Sequence, residues 1–442
     1  MNGMLAPGTP LTTTEGVTLE VAELLGSGGQ GEVYRVLGPG GPQALKWYFP
    51  ACATDQQDEI VQQLVARNLD DDRFLWPSAH VRDDTGFGYV MPLLPDRFRK
   101  LTDLFRRTLH TSPRALLAAA LNTVEAYQVL HAQGIAYRDI SWGNVVFDPA
   151  NGDVLICDND NAVVEGENSG ITGTMHFMAP ELVRADPGAR PGTQSDLHSL
   201  AVLLFMLLMN HHPLSGRREL EVHCLDEAAE RRLYGREPVF VFDPKDRSNA
   251  PDPQEQGTVL ATWEAACPSL RELFTRNFTE GLHEPARRVR ESEWRDALRA
   301  AYDAVVECAH CGRQNMTEPG SGDSRPCWRC GQLVTLPARL TVTTLGPRVV
   351  RHISLHRTAR LQAHHLEAEP ARHDYGDATL VGMLTEHPKQ PGRFGLTNRS
   401  TQSWTAERRD GSRQSVDPGQ TIPLRAGLSL DLAAAHAVVE TV

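Results

Sequence analysis

The stretch Tyr137-Arg138-Asp139-Ile140-Ser141-Trp142-Gly143-Asn144 decides how this 442-residue chain is interpreted. In it, a carboxylate at Asp139 and an amide at Asn144 lie five positions apart, between an apolar helix-like stretch and a short strand-like run. Another acid, Asp158, ends the next apolar run. Phosphoryl transfer to a hydroxyl uses one carboxylate to orient and deprotonate the hydroxyl, and an amide and a second carboxylate to hold magnesium. The spacing therefore predicts phosphoryl-transfer chemistry.

Composition narrows the function classes. The net charge of −12 argues against a nucleic-acid binder, which would usually be basic. The longest strongly apolar run, 200–209, is about half the length of a membrane-spanning helix, so no membrane segment is predicted. The first residues show no signal-peptide pattern. Four scattered cysteines without an export signal indicate reduced thiols and a cytoplasmic location; they are Cys52, Cys157, Cys224 and Cys267.

A glycine-rich segment lies near the N-terminus. Gly26, Gly28 and Gly31 form a G-x-G-x-x-G pattern, in which glycine lets the backbone approach phosphates closely. The pattern alone fits a dinucleotide fold or an ordinary hairpin turn equally well. Residues 32–36 read as a strand, whereas a dinucleotide fingerprint should open a helix. The order therefore favours a glycine-rich flap over ATP.

Lys46 lies inside the apolar strand-like run 44–48, where an ammonium group needs an anionic partner. A helix is predicted to begin after Thr54 and to continue to about residue 68. On this helix Glu59 is the best candidate partner for Lys46. Asp58 competes for the role, and a solvated surface charge is the alternative interpretation of Glu59.

Residues 16–305 resemble a eukaryotic-like protein kinase of the bacterial type. The matching stretches occur in the family's order and spacing: 26–33, 44–46, 134–144, 158, 173–181, 196 and 288–294. The resemblance implies a bilobal α+β fold that binds ATP with Mg²⁺ or Mn²⁺ and phosphorylates a protein substrate.

The resemblance also implies catalytic roles for five of these residues. Lys46 would hold the α- and β-phosphates and form the activating ion pair with Glu59. Asp139 would be the catalytic base, and Asn144 and Asp158 would be the magnesium ligands.

The remaining ATP contacts follow from the same resemblance. The glycine flap, ending at Val33, would cover the phosphates. The strand predicted over 86–94 would lead into the hinge, where the carbonyl of Pro92 and the backbone of Leu94 would bind adenine. Proline lacks an N–H, but this hinge position needs only a carbonyl.

Several positions depart from the family pattern. Tyr137 replaces the usual His, Ser141 replaces a Lys, and Asn159-Asp160 replaces Phe-Gly. Loss of the cation at 141 would cost a few kcal/mol of transition-state stabilisation. Asp160 is either an extra metal ligand or a solvated turn acid. These departures support an alternative function, a pseudokinase scaffold that binds nucleotide and presents its C-terminal part to partners. A third hypothesis is a transferase that uses ATP for chemistry other than protein phosphorylation, with a free small molecule as its substrate.

Further positions imply substrate class and regulation. Thr174, seven residues before Glu181, resembles the threonine with which serine/threonine kinases contact the catalytic Asp. Glu181 would pair with Arg288, and Asp196 would anchor the catalytic-loop backbone. Arg138 could bind an activating phosphate, for which the candidate sites are Thr172 and Ser169.

Four cysteines form two C-x-x-C-G knuckles: Cys308, Cys311, Cys327 and Cys330. Each knuckle lets two thiolates reach one tetrahedral ion, and four thiolates make a closed, structural zinc site. Iron on the same ligands is the less favoured alternative. The segment 306–336 is therefore predicted to be a zinc ribbon that the metal stabilises.

The tail, 337–442, alternates short apolar strands with turn signals, which predicts an all-β sandwich. Residues 396–432 weakly resemble the second half of a forkhead-associated domain, without its Ser-x-x-His or Asn-Gly signals. The predicted domains are thus a loose leader (1–15), a kinase domain (16–305), a zinc ribbon (306–336) and a β-sandwich (337–442). The combination resembles kinases of tellurite-resistance-type operons, which implies von Willebrand-A and phosphatase proteins as partners.

Overall fold

The computed structural model describes residues 3–165, 173–318, 324–334 and 338–440. They form two compact units. The first contains the described parts of Met1–His110, Asn122–Asp252 and Thr275–Glu291, and the second those of Thr111–Leu121, Pro253–Phe274 and Ser292–Val442. The four-part division predicted above stays a prediction. No helix within the described residues is long and apolar enough to cross a membrane.

The first unit begins with a six-stranded antiparallel sheet of order β1-β2-β3-β4-β6-β5. Its strands are β1 (Pro10–Thr12), β2 (Thr18–Ser27), β3 (Gly31–Gly38), β4 (Gly41–Tyr48), β5 (Ala79–Asp83) and β6 (Gly86–Met91). Alternating apolar residues bury one face of the sheet around Val21, Val36 and Leu45. The glycine-rich turn joins β2 to β3, so a strand follows the glycines as predicted.

The prediction of a loose leader over residues 1–15 is wrong. β1 pairs with β2 from Pro10 to Thr12, and Leu5 and Leu11 are buried in the core of the sheet. The backbone N–H of Leu5 also donates to the Tyr34 hydroxyl at 3.0 Å. The segment is too short to show periodicity, so its two buried leucines could not be recognised without their tertiary neighbours.

Helix α1 (Asp55–Arg67) lies where the sequence predicts it. The hydroxyl of Thr54 caps the helix by accepting a hydrogen bond from the N–H of Gln57 at 3.2 Å. Asn68 ends the helix in the left-handed conformation, with φ of 44°. These local signals explain why the boundaries agree with the prediction.

Nine further α-helices follow along the chain: α2 (Leu101–Phe105), α3 (Pro113–Ala132), α4 (Pro180–Val183), α5 (Thr193–Met209), α6 (Arg217–Leu220), α7 (Glu227–Glu230), α8 (Gly257–Ala265), α9 (Pro268–His283) and α10 (Glu291–Asp303) within the described residues. The most apolar, α5, is buried from Ser195 to Met209. Burial on all sides makes it a central helix of the first unit.

Short strands carry the loops of the candidate site. They are β7 (Arg99–Lys100), β8 (Ile135–Ala136), β9 (Val145–Phe147), β10 (Val154–Ile156) and β11 (Val163–Val164). β9 and β10 form an antiparallel pair directly after the 137–144 loop, and β11 pairs with β8 directly before it. These pairings bring the 137–144 loop and residues 158–160 together.

The second unit contains two pieces of β structure. A small pair, β12 (Val305–Glu307) and β13 (Gln314–Met316), carries the first cysteine knuckle. The C-terminal strands are β14 (Arg339–Thr344), β15 (Val350–Ser354), β16 (Arg360–Gln362), β17 (Leu380–Glu386), β18 (Phe394–Asn398), β19 (Trp404–Glu407), β20 (Arg413–Val416), β21 (Thr421–Pro423), β22 (Ser429–Asp431) and β23 (Ala435–Glu440).

The C-terminal strands form two antiparallel sheets. One has six strands in the order β15-β14-β23-β22-β19-β20, and the other has four in the order β16-β17-β18-β21. Residues of both sheets, such as Leu340, Leu396 and Leu430, share one hydrophobic cluster. The alternation in the sequence thus corresponds to two sheets packed around one core.

Candidate phosphoryl-transfer site

Asp139 is held from two sides. Its Oδ1 accepts hydrogen bonds from the Thr174 hydroxyl at 2.9 Å and from the Thr174 backbone N–H at 3.0 Å. Its Oδ2 accepts one from the Asn144 amide nitrogen at 2.9 Å. The structure therefore brings together three residues that the sequence singles out. A carboxylate held in this way is oriented to accept a proton from a hydroxyl placed beside it.

The backbone before Asp139 is anchored by Asp196 at the start of α5. The Asp196 carboxylate accepts from the N–H of Tyr137 at 2.6 Å and from the N–H of Arg138 at 2.9 Å. Asp196 is almost completely buried. This is the backbone contact that the sequence predicts for it.

His131, at the end of α3, extends this anchor. It lies between Asp196, 3.1 Å from its Nε2, and Glu291, which contacts its Nδ1. Burial alone would lower the pKa of His131, but hydrogen bonds to Asp196 and Glu291 raise the pKa to about 9. His131 is therefore protonated at neutral pH, a property that the sequence did not reveal.

We expect His131→Asn to destabilise the protein in a pH-dependent way. Because its pKa is raised in the folded state, its contribution is complete below pH 6.5 and is lost as the pH rises to about 9. The contribution is about 3 kcal/mol. Urea midpoints of native protein and variant should differ clearly at pH 6.5 and converge above pH 9, whereas His283→Asn, at an exposed site, should match native protein throughout. An equal difference at both pH values would contradict the assignment.

Tyr137, where the sequence resemblance gives a histidine, keeps a link to the loop that contains Asp158. Its ring is fully buried, and its hydroxyl donates to the carbonyl of Cys157. A second, longer contact reaches the carbonyl of Asp158 at 3.4 Å. The tyrosine thus ties the two loops together through backbone carbonyls.

Asn159 is also accommodated in the interior. It is fully buried, and its amide nitrogen donates to the carbonyls of Leu75 at 2.9 Å and Ile156 at 3.0 Å. Where the family packs a phenylalanine ring, this chain uses hydrogen bonds to two backbone segments. The nitrogen of this buried amide is thus satisfied, whereas its oxygen has no hydrogen-bond partner among the described residues.

The prediction that Glu59 is the partner of Lys46 is wrong. The structure does not bring Glu59 to Lys46, because Glu59 lies on the exposed side of α1. Lys46 Nζ instead lies 2.8 Å from Asp160 Oδ2 and 3.0 Å from Asp160 Oδ1. The Asp158 carboxylate is 3.5 Å away, and Gln30 Oε1 accepts from Nζ at 3.0 Å.

The interpretation of Asp160 as a solvated turn acid is wrong as well, because the residue is completely buried against Lys46. Its role as an extra metal ligand stays a prediction. Burial by itself raises the pKa of a carboxyl group, but the charge of Lys46 lowers the pKa of Asp160 below its usual range. Burial by itself would lower the pKa of Lys46, but the charges of Asp160 and Asp158 raise it. Both groups are therefore charged in the folded protein.

Asn144 and Asp158 lie where they could hold a divalent cation. The amide nitrogen of Asn144 is turned to Asp139, both to its carboxylate and to its carbonyl at 2.8 Å, which leaves the amide oxygen as the possible ligand atom. The Asp158 side chain is half-exposed. Carboxylate and amide oxygens are the ligands that magnesium prefers, so the donor set fits the ion.

The positions expected to face the nucleotide lie on strands of the first sheet or in the turn between β2 and β3. Val33 on β3 is opposite Lys46 on β4. Gly31 is required by close packing, because a Cβ there would lie 2.2 Å from the carbonyl oxygen of Trp47. A Cβ at Gly26 would meet no atom within 4 Å, and one at Gly28 would lie 3.9 Å from the carbonyl oxygen of Gly31.

The segment after β6 has the exposure expected of a hinge. Met91, its last strand residue, is buried, whereas Pro92 and Leu94 are exposed. The adenine role of Pro92 and Leu94 stays a prediction.

Glu181 and Arg288 form the ion pair that the sequence predicts, with 2.7 Å between the Glu181 carboxylate and the Arg288 guanidinium. Arg288 also donates to the carbonyls of Gln194 and Gly281. The pair therefore connects three segments of the first unit. The proposed phosphorylation sites, Thr172 and Ser169, lie outside the described residues.

The second unit contains a candidate metal centre. The sulfur atoms of Cys308, Cys311, Cys327 and Cys330 all lie within 4.8 Å of one another, and no other such group of three or more ligands occurs in the described ranges. Two sulfur pairs are 3.7 Å apart. This spacing fits a tetrahedral ion bound to thiolates at about 2.3 Å.

The two knuckles have matching backbone geometry. Gly312 and Gly331 adopt φ of 69° and 72°, and each donates its N–H to the carbonyl of the first cysteine of its knuckle at 2.9 Å. Positive φ favours glycine at these positions. The repeated C-x-x-C-G pattern is thus explained by the turn that points both thiolates to one centre.

The part of the chain that contains this site is similar to a known protein family. Residues 19–238 match the model of the protein kinase domain. The matched range includes Lys46, Asp139, Asn144 and Asp158.

Curated relatives are serine/threonine-protein kinases. PkaB of Streptomyces coelicolor is 28% identical over 209 residues, 44% of this chain and 49% of PkaB. PkaA of the same organism is 28% identical over 243 residues, 50% of this chain and 44% of PkaA. The probable kinase PknB of Bifidobacterium longum is 26% identical over 227 residues, 46% of this chain and 32% of PknB. The chain spans about half or less of the length of these relatives.

Proposed function

We propose that this protein is an ATP-dependent serine/threonine protein kinase of bacterial signalling that transfers the γ-phosphate to protein hydroxyls, its own included. The observation that carries this proposal is the double restraint of Asp139, by Thr174 on one oxygen and by Asn144 on the other. Such a carboxylate is oriented for a hydroxyl substrate. The match of residues 19–238 to the protein kinase domain supports the same conclusion.

In this proposal each group has one task. Asp139 accepts the proton of the substrate hydroxyl. Asn144 and Asp158 would hold Mg²⁺ or Mn²⁺, which neutralises charge on the phosphates when bound. Lys46 would bind the α- and β-phosphates below the glycine flap. Pro92 and Leu94 would bind adenine through their backbone.

Transfer of labelled γ-phosphate from ATP, with magnesium or manganese, tests the proposal. Native protein should label itself and a generic protein substrate, and Lys46→Met should abolish both. Mapping the label would show whether Thr172 or Ser169 is modified. Tight nucleotide binding without transfer by native protein would overturn the proposal in favour of the scaffold function, which the lack of a lysine at Ser141 motivates.

Thr174 is expected to contribute to catalysis through Asp139. We expect Thr174→Val to lower kcat/KM for a peptide substrate about tenfold, because the loss of one hydrogen bond to a charged group is worth about 1.5 kcal/mol. Thr174→Ser keeps the hydroxyl and should stay within about twofold of native protein. Steady-state kinetics with serine and threonine peptides measures this, and equal losses in the two variants would contradict the role.

The second unit completes the proposal. We infer that the four cysteines hold a structural zinc ion in a ribbon over 306–336, and that the two C-terminal sheets form a forkhead-associated-like β-sandwich for binding other proteins. The fold of the kinase part would be bilobal. A cytoplasmic location and von Willebrand-A and phosphatase partners are proposed from the sequence resemblance. Zinc analysis and pull-down with such partners test these points.

A further inference from the structure

We propose that Asp160 is the positioning carboxylate for Lys46, in the place that the kinase resemblance gives to Glu59 on α1. Asp160 follows the metal-binding residue Asp158 by two positions. The active arrangement of Lys46 would then be built by the 158–160 loop and the sheet, not by the helix. This inference rests on the proposed function and deepens it.

The surroundings of Asp160 are those of a built charge site. The residue is completely buried, and both carboxylate oxygens lie within 3.0 Å of Lys46 Nζ. Two tyrosine hydroxyls also donate to the carboxylate, that of Tyr48 on β4 and that of Tyr89 on β6, the latter at 3.2 Å. A buried charge is stable only when it is paired and hydrogen-bonded in this way.

Helix α1 presents an amide to this site instead of a carboxylate. Gln57 is buried, and its Nε2 donates to the carbonyl of Asp160 at 3.1 Å and to the Tyr48 hydroxyl at 3.2 Å. Glu59 lies two residues further along, about 200° around the helix, on the exposed side. The helix therefore supports the loop of Asp160 but adds no charge beside Lys46.

Asp58, the other acid that the sequence offers as a partner, is used elsewhere. Its carboxylate lies 2.6 Å from His80 Nε2 and contacts the guanidinium of Arg82, both on β5. This pairing attaches α1 to the edge of the sheet. Neither Asp58 nor Glu59 thus serves Lys46, and Asp160 takes over that task.

The arrangement has a functional consequence. Because Asp160 and Asp158 belong to one short loop, the lysine that would bind phosphate and the acid that would bind metal are positioned together. A displacement of α1 would break the contacts of Gln57 but leave the Lys46–Asp160 ion pair in place. Phosphoryl transfer should therefore depend on charge at 160 and not on charge at 59.

Kinetics of isosteric variants tests the proposal. We expect Asp160→Asn to lower kcat about 100-fold, with a smaller change in the KM for ATP, because Lys46 loses the charge that orients it for the transition state. Glu59→Gln should remain within about twofold of native protein. Asp84→Asn, at an exposed site in the turn between β5 and β6, is the matched control and should also be unchanged.

A rescue variant separates positioning from a merely structural effect. In Gln57→Glu/Asp160→Asn the carboxylate returns to the helix residue that faces the site, and we expect it to recover at least about tenfold of the lost kcat. A purely structural role of Asp160 would not be restored by charge from another element. The proposal is overturned by a loss of more than tenfold in Glu59→Gln, or by a loss of less than threefold in Asp160→Asn.

The test remains decisive in two unfavourable cases. If Asp160→Asn does not fold, as judged by its circular dichroism spectrum, Glu59→Gln alone decides between the two acids.

If native protein transfers no phosphate, the proposed function fails separately. Mg-ATP affinity then tests the ion pair, since Asp160→Asn should bind at least tenfold more weakly and Glu59→Gln equally well. Weaker Mg-ATP binding by Glu59→Gln than by native protein would contradict the inference.

Discussion

Replacing Asp139 by Asn is expected to lower kcat for phosphoryl transfer about 1,000-fold, with the affinity for Mg-ATP changed by less than about threefold. The loss follows from chemistry, because an amide cannot accept the substrate proton that a carboxylate accepts. Binding is spared because Asp139 is held by Thr174 and Asn144 and is not one of the expected nucleotide contacts.

The Asp139 experiment needs two comparisons. Asp84→Asn has the same chemical change on the surface and should be as active as native protein. Single-turnover rates with saturating Mg-ATP isolate the chemical step from nucleotide binding. A variant that keeps more than a tenth of the native single-turnover rate would show that Asp139 is not the base, and would reopen the assignment of the loop.

Removal of the metal from the four-cysteine centre is expected to have the second large effect. Binding of zinc by four thiolates contributes about 10 kcal/mol or more to folding of a small segment. Outside the metal ligands, the local hydrophobic cluster has only Val306 and Val334 among the described residues. A strong chelator should therefore unfold the described parts of this segment, 306–318 and 324–334, and speed their amide hydrogen exchange at least about 100-fold.

Substitution of a ligand should reproduce this effect. Cys327→Ser should lose zinc at a chelator concentration at least about 100-fold lower than native protein, because a serine hydroxyl is a poor zinc ligand. Cys224→Ser changes an exposed cysteine outside the cluster and should retain one zinc per chain. Native protein that is purified without any metal but with a protected 306–334 segment would contradict a structural zinc site.

Several features were readable because their cause is local in the chain. The caps of α1 depend on Thr54 and Asn68, which act on their nearest neighbours. The two cysteine knuckles carry their own turn glycines. The acid and the amide of the 137–144 loop, Asp139 and Asn144, lie five positions apart within that loop. In each case the residues that make the feature are within a few positions of one another, so pattern alone was informative.

Other features depended on segments far apart in sequence. Lys46 needs an acid, and the sequence favours Glu59 with Asp58 as a competitor, whereas it gives no sign that Asp160 is the partner. Only packing decides, since the helix turns Glu59 to solvent and Asp58 to β5, while the 158–160 loop buries Asp160 against Lys46. A buried charge selects its partner by three-dimensional proximity, which no local pattern contains.

Contacts between distant segments also explain the burial of the N-terminal leucines and the charge of His131. Leu5 and Leu11 became part of a core only through pairing with β2, and His131 acquired its charge from two acids 65 and 160 residues away. The sequence by itself indicated the kind of chemistry and the four clustered cysteines that could hold a metal ion, because these are properties of short motifs. The tertiary structure alone decided which acid serves Lys46 and how the loop is held, because the energies of buried charges depend on neighbours that only folding brings together.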